Sequence, residues 1–235
     1  MRLFDILFGR VDVQRLAQKA DYHRLAVLIA DFRVADEAAA PLVAAGTVAF
    51  PAVLDAARRA RSELTEAVIS NDEDLHHRID VLCAYITVLG RFGFPDALPM
   101  IVEAFACAAT GATPPSEVLS SLDRLDLEEL ERLRDPSYQP RINEVLHRSR
   151  FHKRVFLNTR AYSKLLHAAS NVLLSQRSHS TPLLIKLLED HRPPVRYRCR
   201  EILRKIGGQD VNIVLQKSPE DDKALGQWSI LYGIT

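Results

Sequence analysis

The clearest pattern of hydrophobic and polar positions lies in residues 180–208, where it predicts two short helices folded back on each other. Thr181 followed by Pro182 is typical of a helix start, because the hydroxyl can cap the first turn and proline is tolerated there. An apolar stripe at helical spacing marks the second helix, formed by Val195, Cys199, Ile202, Leu203 and Ile206. Gly207 and Gly208 are expected to end that helix.

Apolar periodicity of the same kind recurs upstream, at intervals typical of repeated helical pairs. Residues 48–93 predict a helix that reaches Ser70, an acidic turn, and a second helix that ends at Gly90. Other segments with helical periodicity are a degenerate pair at 21–46, an apolar helix at 94–111 and a longer helix at 152–175. Residues 110–140 are either an insertion or a divergent repeat. Residues 209–235 are expected to cap the end of the array.

The pair at residues 180–208 resembles a HEAT repeat. The resemblance is carried by a first helix that starts at a proline, by Asp190 before the turn, and by Arg196 six residues later. Asp72 and Arg78 repeat the spacing of that aspartate and arginine. In the family these residue types help to stack neighbouring repeats, and the resemblance implies the same structural role for all four residues.

The resemblance also implies a fold. Residues 1–235 are expected to form a single all-α domain, a right-handed α-solenoid (an α–α superhelix of armadillo type) built from stacked HEAT-like helical hairpins with a divergent middle. Residues 48–93 and 180–208 are its clearest repeats. Each hairpin buries its apolar face only by stacking on its neighbours.

Net charge near zero conceals a strong asymmetry. The chain has 31 basic and 30 acidic side chains, yet residues 141–206 hold fifteen basic side chains against four acidic ones. The three cysteines lie far apart and form no CxxC pair, which favours reduced thiols over a disulfide framework or a zinc site. The first ten residues are too short and too charged for a signal peptide, and no apolar run is long enough to cross a bilayer. A cytoplasmic protein without an integral membrane segment is therefore predicted.

Two rows of basic residues are candidates for binding an anionic partner. On the second helix of the 180–208 pair, the row at the edge of the apolar stripe is Arg196, Arg200 and Arg204. On the 152–175 helix, the row opposite the apolar face is Lys153, Arg160 and Lys164. Such side chains can bind phosphate or carboxylate groups. The alternative interpretation is that these are ordinary solvent-facing charges, with Arg196 serving to stack repeats.

Enzymatic alternatives find little support in the motifs. Deoxyhypusine hydroxylases are HEAT-repeat enzymes that bind iron through His-Glu motifs, and this chain contains no His-Glu dipeptide. HEAT-like DNA glycosylases use an aromatic residue, an acid and an arginine, whereas Trp228 is the only tryptophan here and lies in the tail. Bilin lyases are similar only in their general repeat pattern. No catalytic residue, metal ligand or cofactor is predicted.

The sequence therefore favours a non-enzymatic protein-interaction or scaffold module that presents a curved, basic C-terminal surface to an acidic protein partner. The first alternative is a HEAT-like protein that binds nucleic acid, since phosphates would satisfy the same charges. A bilin lyase-like or DNA glycosylase-like enzyme is the further alternative. The oligomeric state is left open by the sequence.

Overall fold

The computed structural model describes residues 13–70, 72–112 and 150–217, with the backbone alone at 150–157, 210 and 217. These residues form ten α-helices and no β-strand, which confirms the predicted all-α class. The helices are α1 Val13–Gln18, α2 Tyr22–Leu28, α3 Ala35–Ala45, α4 Phe50–Ser70, α5 Leu75–Phe92, α6 Leu98–Gly111, α7 Arg150–Ser175, α8 Arg177–Leu187, α9 Pro193–Ile206 and α10 Gln209–Lys217. Short 3₁₀ turns at Gly46–Val48 and Pro95–Ala97 precede α4 and α6.

Helices that follow each other in the sequence pack in pairs. Contacts join α2 to α3, α4 to α5, and α8 to α9, and these pairs coincide with residues 21–46, 48–93 and 180–208. The apolar helix predicted at 94–111 is α6, and its main partner is α7. The predicted segments between residues 113 and 149 lie outside the described residues, as does the tail from residue 218.

The pairs also contact one another in chain order. The first helices form one series of contacts, α2 with α4, α4 with α6, and α6 with α8, and the second helices form another, α3 with α5, α5 with α7, and α7 with α9. One hydrophobic cluster runs through all of them, from Val13 to Val211. Its largest fully buried side chains include Phe105, Leu64 and Leu165. The described helices therefore share a single continuous core.

Helix α7 occupies the centre of this core. It makes its most extensive contacts with α5 and with α6, and two glycines permit its close approach. A methyl group on Gly90 of α5 would overlap with Val172, and one on Gly111 of α6 would overlap with the ring of Tyr162. Burial raises the pKa of Tyr162 to about 12. The spacing of α7 from both neighbours is thus set by the absence of two side chains.

One predicted helix start is wrong. Helix α8 begins at Arg177 and carries Pro182 inside it, so Thr181 is not its cap. The Thr181 hydroxyl instead donates to the carbonyl of Arg177 at 2.6 Å, within the helix. Ser180 is fully buried and donates to the carbonyl of Leu173 at 2.6 Å, which ties α8 to the last turns of α7. This tertiary contact supports the additional turn, and local sequence preference does not reveal it.

Candidate functional site

A cleft of about 360 Å³ opens between α7 and α9, with α6 at its base. We call it the α7–α9 cleft. The residues that give it its character are Phe105, Arg160, Lys164, His167, Arg198 and Lys205. Five of these six side chains are Arg, Lys or His, and Glu201 is the one acidic residue in the described lining. The described lining therefore holds four Arg or Lys side chains and one carboxylate.

The positive charges of the cleft differ in their accessibility. Arg160 and Lys164 on α7 and Lys205 on α9 are exposed at the rim. Arg198 is buried in the wall, where its Nη1 lies 2.6 Å from Oε2 of Glu201. The positive charge of Arg198 and the negative charge of Glu201 largely cancel, so the pair contributes little to the net electrostatic field in the cleft. A ligand at the rim would therefore meet mainly Arg160 and Lys205, together with Lys164, whose charge is partly offset by Asp80.

A second cleft, of about 490 Å³, lies on the other side of the same ridge, between α5 and α7. We call it the α5–α7 cleft. Lys164 and His167 line both clefts, and Arg91 adds a further positive charge from α5. Lys164 Nζ also lies 3.3 Å from Oδ1 of Asp80, which links α7 to α5. Burial raises the pKa of the Cys83 thiol in this cleft, which disfavours its reactive thiolate form.

The basic row predicted on the long helix is placed at these clefts. Arg160 lines the α7–α9 cleft, and Lys164 lies on the ridge between the two clefts. The side chain of Lys153 lies outside the described part of the chain. Two of the three predicted residues on α7 therefore line the same cleft, the α7–α9 cleft.

The row predicted on α9 is not a single exposed surface. Arg204 is exposed but does not line either cleft, and Arg196 is half-buried. Arg200 is only 3% exposed, so the prediction that it contacts a partner at the surface is corrected. Burial on α9 extends beyond its apolar stripe because the helix packs against α8 and α10 as well as against α7 and α6.

Sequence reasoning missed the α9 residues that do reach the cleft. Arg198 and Lys205 lie on the opposite edge of the apolar stripe from Arg196, at helical spacing of about 100° per residue. The stripe has two basic edges, and the pattern alone does not show which of them faces α7. The i, i+3 spacing of Arg198 and Glu201 predicts an ion pair on this edge of α9, but it does not indicate that the edge faces α7.

The four residues predicted to stack repeats make their observed contacts close to their own helical pair. Arg78 on α5 pairs with Glu63 on α4, with Nη1 2.9 Å from Oε2. Arg196 donates from Nη1 to the backbone carbonyl of Asp190 at 2.8 Å. A role in joining neighbouring repeats stays a prediction for Asp72, Arg78, Asp190 and Arg196.

Three of the turns between paired helices are built in the same way. Asp31, Asp72 and Asp190 each accept, through Oδ1, the backbone N–H two residues further on, at 3.1, 2.9 and 2.9 Å. In two of these turns the residue at that position is an arginine whose guanidinium donates a hydrogen bond to each carboxylate oxygen. Arg33 does so at 2.9 and 2.7 Å, and Arg192 at 2.9 and 2.8 Å. This Asp-x-Arg turn recurs at equivalent places in the first and last helical pairs.

The turn at Asp190 predicts a specific acid sensitivity. Hydrogen bonds from the Arg192 guanidinium lower the pKa of Asp190 from 3.8 to about 2. A depressed pKa in the folded state stabilises the protein above the unfolded value, and that stabilisation is lost as the pH falls from about 4 towards 2. We expect Asp190→Asn to be less stable than the parent at pH 7 and to lose less further stability on acidification. Urea unfolding across this pH range measures both.

The exposed Asp55 on α4 provides the matched control, as Asp55→Asn. That substitution is expected to leave the acid dependence close to that of the parent. If Asp190→Asn and the parent lose stability in parallel below pH 4, the Asp190–Arg192 contact does not contribute as argued.

No group of three or more His, Cys, Asp or Glu side chains in residues 13–70, 72–112 and 150–217 is arranged to hold a metal ion. In the same residues no single helix is both long and apolar enough to cross a bilayer. The pair Ala35–Val48 and Phe50–Ser70, bent by 117°, meets that length and composition test only when its two helices are taken together.

Comparison with known proteins does not place the chain in a family. No protein-family model, no curated protein and no solved structure matches it.

Proposed function

We propose that this protein is a non-enzymatic interaction module that docks an acidic protein on the surface formed by α5, α7 and α9. The observation that carries the proposal is the pair of clefts on either side of α7, which share the exposed Lys164 of the ridge between them. Lys164 belongs to both clefts, with Arg160 and Lys205 beside it. Concave surfaces lined by one sign of charge concentrate oppositely charged partners.

The architecture that we propose for this module is a right-handed α-solenoid of HEAT-like hairpins. Two observations support it. The helical pairs contact each other in chain order through two parallel series of helices, as stacked repeats do. The inter-helix turns at Asp31, Asp72 and Asp190 use the same aspartate-to-backbone hydrogen bond. In such a stack the second helices of the pairs line one surface, and α5, α7 and α9 are the second helices.

The chemistry of this surface favours a protein over a nucleic acid. Proteins that bind single-stranded nucleic acid combine basic grooves with exposed aromatic rings on which bases stack. Among the described residues lining the two clefts, Phe105 is the only Phe, Tyr or Trp, and it is fully buried. Carboxylates on a folded partner need only the exposed cations. We therefore place nucleic-acid binding second.

The proposal is tested by charge reversal on both walls of the α7–α9 cleft. The variant Arg160→Glu/Lys205→Glu is compared with Arg204→Glu, which reverses an exposed charge on α9 outside the clefts. Labelled poly-glutamate and a single-stranded DNA of equal charge serve as probes in fluorescence anisotropy. The double variant is expected to lose roughly tenfold in affinity for poly-glutamate, because each exposed ion pair contributes up to about 1 kcal/mol. Arg204→Glu is expected to change the affinity less than about twofold.

Each outcome of that comparison decides a point. Binding that weakens as salt rises and depends on Arg160 and Lys205 supports the proposal. An effect confined to Arg204→Glu moves the docking surface to the other edge of α9. Tighter binding of the DNA than of poly-glutamate favours the nucleic-acid alternative. If the unsubstituted protein is folded, as its thermal unfolding shows, and binds neither probe, the basic-surface proposal is overturned.

A further inference from the structure

The α7–α9 cleft has an apolar interior beneath its cationic rim. Phe105, Leu166 and Ile202 form its floor and are at most 4% exposed, and the partly buried Leu174 extends it. A floor of this kind gives a purely ionic ligand nothing to bind. The apolar surface within reach of an entering side chain is that of half-buried Leu174, which lies on the α7 wall above this floor.

The two serine hydroxyls on the α7 wall are already satisfied by their own helix, and the exposed His167 and Asn171 add further polar groups to the lining. Ser163 donates its hydroxyl to the carbonyl of Thr159 at 2.8 Å, and Ser170 donates to the carbonyl of Leu166 at 2.7 Å. Each hydroxyl has therefore used its single proton inside α7. What these serines present to the cleft is weakly polar, so a hydrocarbon side chain would not strand a hydrogen-bond donor there.

The size of the cleft limits what can enter it. Its volume of about 360 Å³ is at the small end of the roughly 300–1,000 Å³ found for ligand pockets. That volume admits side chains and excludes a whole helix. The rim cations Arg160, Lys164 and Lys205 surround the opening. The cleft is thus suited to an apolar anchor carried on a segment that is otherwise acidic.

We propose that the α7–α9 cleft receives one or two apolar side chains from an acidic segment of the partner protein. The apolar side chain supplies the buried anchor that dominates affinity in protein interfaces, and the surrounding carboxylates meet the rim cations. The partner is then recognised by acidic residues that flank a leucine-like residue, and not by negative charge alone. This inference rests on the proposed function and specifies its ligand.

Two labelled glutamate-rich peptides of equal charge test the inference on the full chain. One carries two leucines four positions apart, and the other carries serines in their place. The leucine peptide is expected to bind about tenfold more tightly, because partial burial of two leucines gives at least that factor. In the variant Ser170→Phe, an aromatic ring fills the cleft without changing its charge, and the two peptides are expected to bind equally. The matched variant Ser170→Ala leaves the space open and keeps the preference.

The outcomes separate this inference from the proposed function. Equal binding of the two peptides to the unsubstituted protein overturns the inference and leaves the basic docking surface intact. A leucine preference that persists in folded Ser170→Phe also overturns it, since the anchor would then bind elsewhere. Binding of neither peptide overturns both. If Ser170→Phe does not fold, the peptide comparison on the unsubstituted protein decides the matter.

Discussion

Replacement of Arg200 by glutamate is expected to lower the free energy of unfolding by roughly 3 kcal/mol or more. Arg200 is only 3% exposed on α9, so the substitution buries a carboxylate in a place that accommodates a guanidinium. A carboxylate that is buried without a compensating charge costs several kcal/mol. Urea unfolding followed by circular dichroism measures the loss.

Arg204→Glu is the matched control, because it reverses the same charge one helical turn further along α9 at an exposed position. Its stability is expected to stay within about 0.5 kcal/mol of the parent. Arg200→Met keeps the length of the side chain and removes the charge, so it should lose less than Arg200→Glu. Equal stability of Arg200→Glu and Arg204→Glu would show that Arg200 is accessible to solvent after all.

Phe105→Ala is expected to lower the free energy of unfolding by about 3–5 kcal/mol. Phe105 on α6 is fully buried, and its ring lies where α6 meets the base of the α7–α9 cleft. Removal of the ring takes away its burial and leaves a cavity between helices that are held apart by other contacts. The same substitution at Phe32, which is 53% exposed, should cost less than about 1 kcal/mol.

Chemical denaturation of both phenylalanine variants, fitted with a common dependence of the free energy of unfolding on denaturant concentration, compares their losses of stability. A loss below about 1 kcal/mol for Phe105→Ala would mean that the neighbouring helices collapse into the space. Helix α7 has little freedom to do so, because Gly90 and Gly111 already bring it into close contact with α5 and α6. We therefore expect the larger value.

Local periodicity was sufficient to predict the longer helices, although it predicted neither α1 at Val13–Gln18 nor α10 at Gln209–Lys217. The stripe from Val195 to Ile206 predicted α9, and the apolar face of residues 152–175 predicted α7, because each helix buries one side at a period of 3.6 residues. The turn at Asp190 was also recognised from its sequence. The arginine two residues further on was missed, since the HEAT resemblance directed attention to Arg196 instead.

What periodicity did not predict depends on contacts between distant segments. Ser180 extends α8 by bonding to α7, and the sequence around Pro182 favours a later start. Arg200 is buried although it lies beside the apolar stripe of α9 and not within it. The helical period gives the directions of side chains around one helix, but it does not give the positions of the helices that surround it. For the same reason Lys205 was not assigned to the cleft.

The pairing of α6 with α7 has a consequence for synthesis of the chain. Residues 112 and 150 are joined only through a long intervening segment, so α5 and α6 leave the ribosome well before the helix that covers both of them. At translation rates of about 5–20 residues per second, synthesis from the end of α6 at Gly111 to the end of α7 at Ser175 takes roughly 3–13 s. During that interval the apolar faces of α5 and α6 lack the cover of α7, and exposed hydrophobic surface of this kind makes an incomplete chain prone to aggregation.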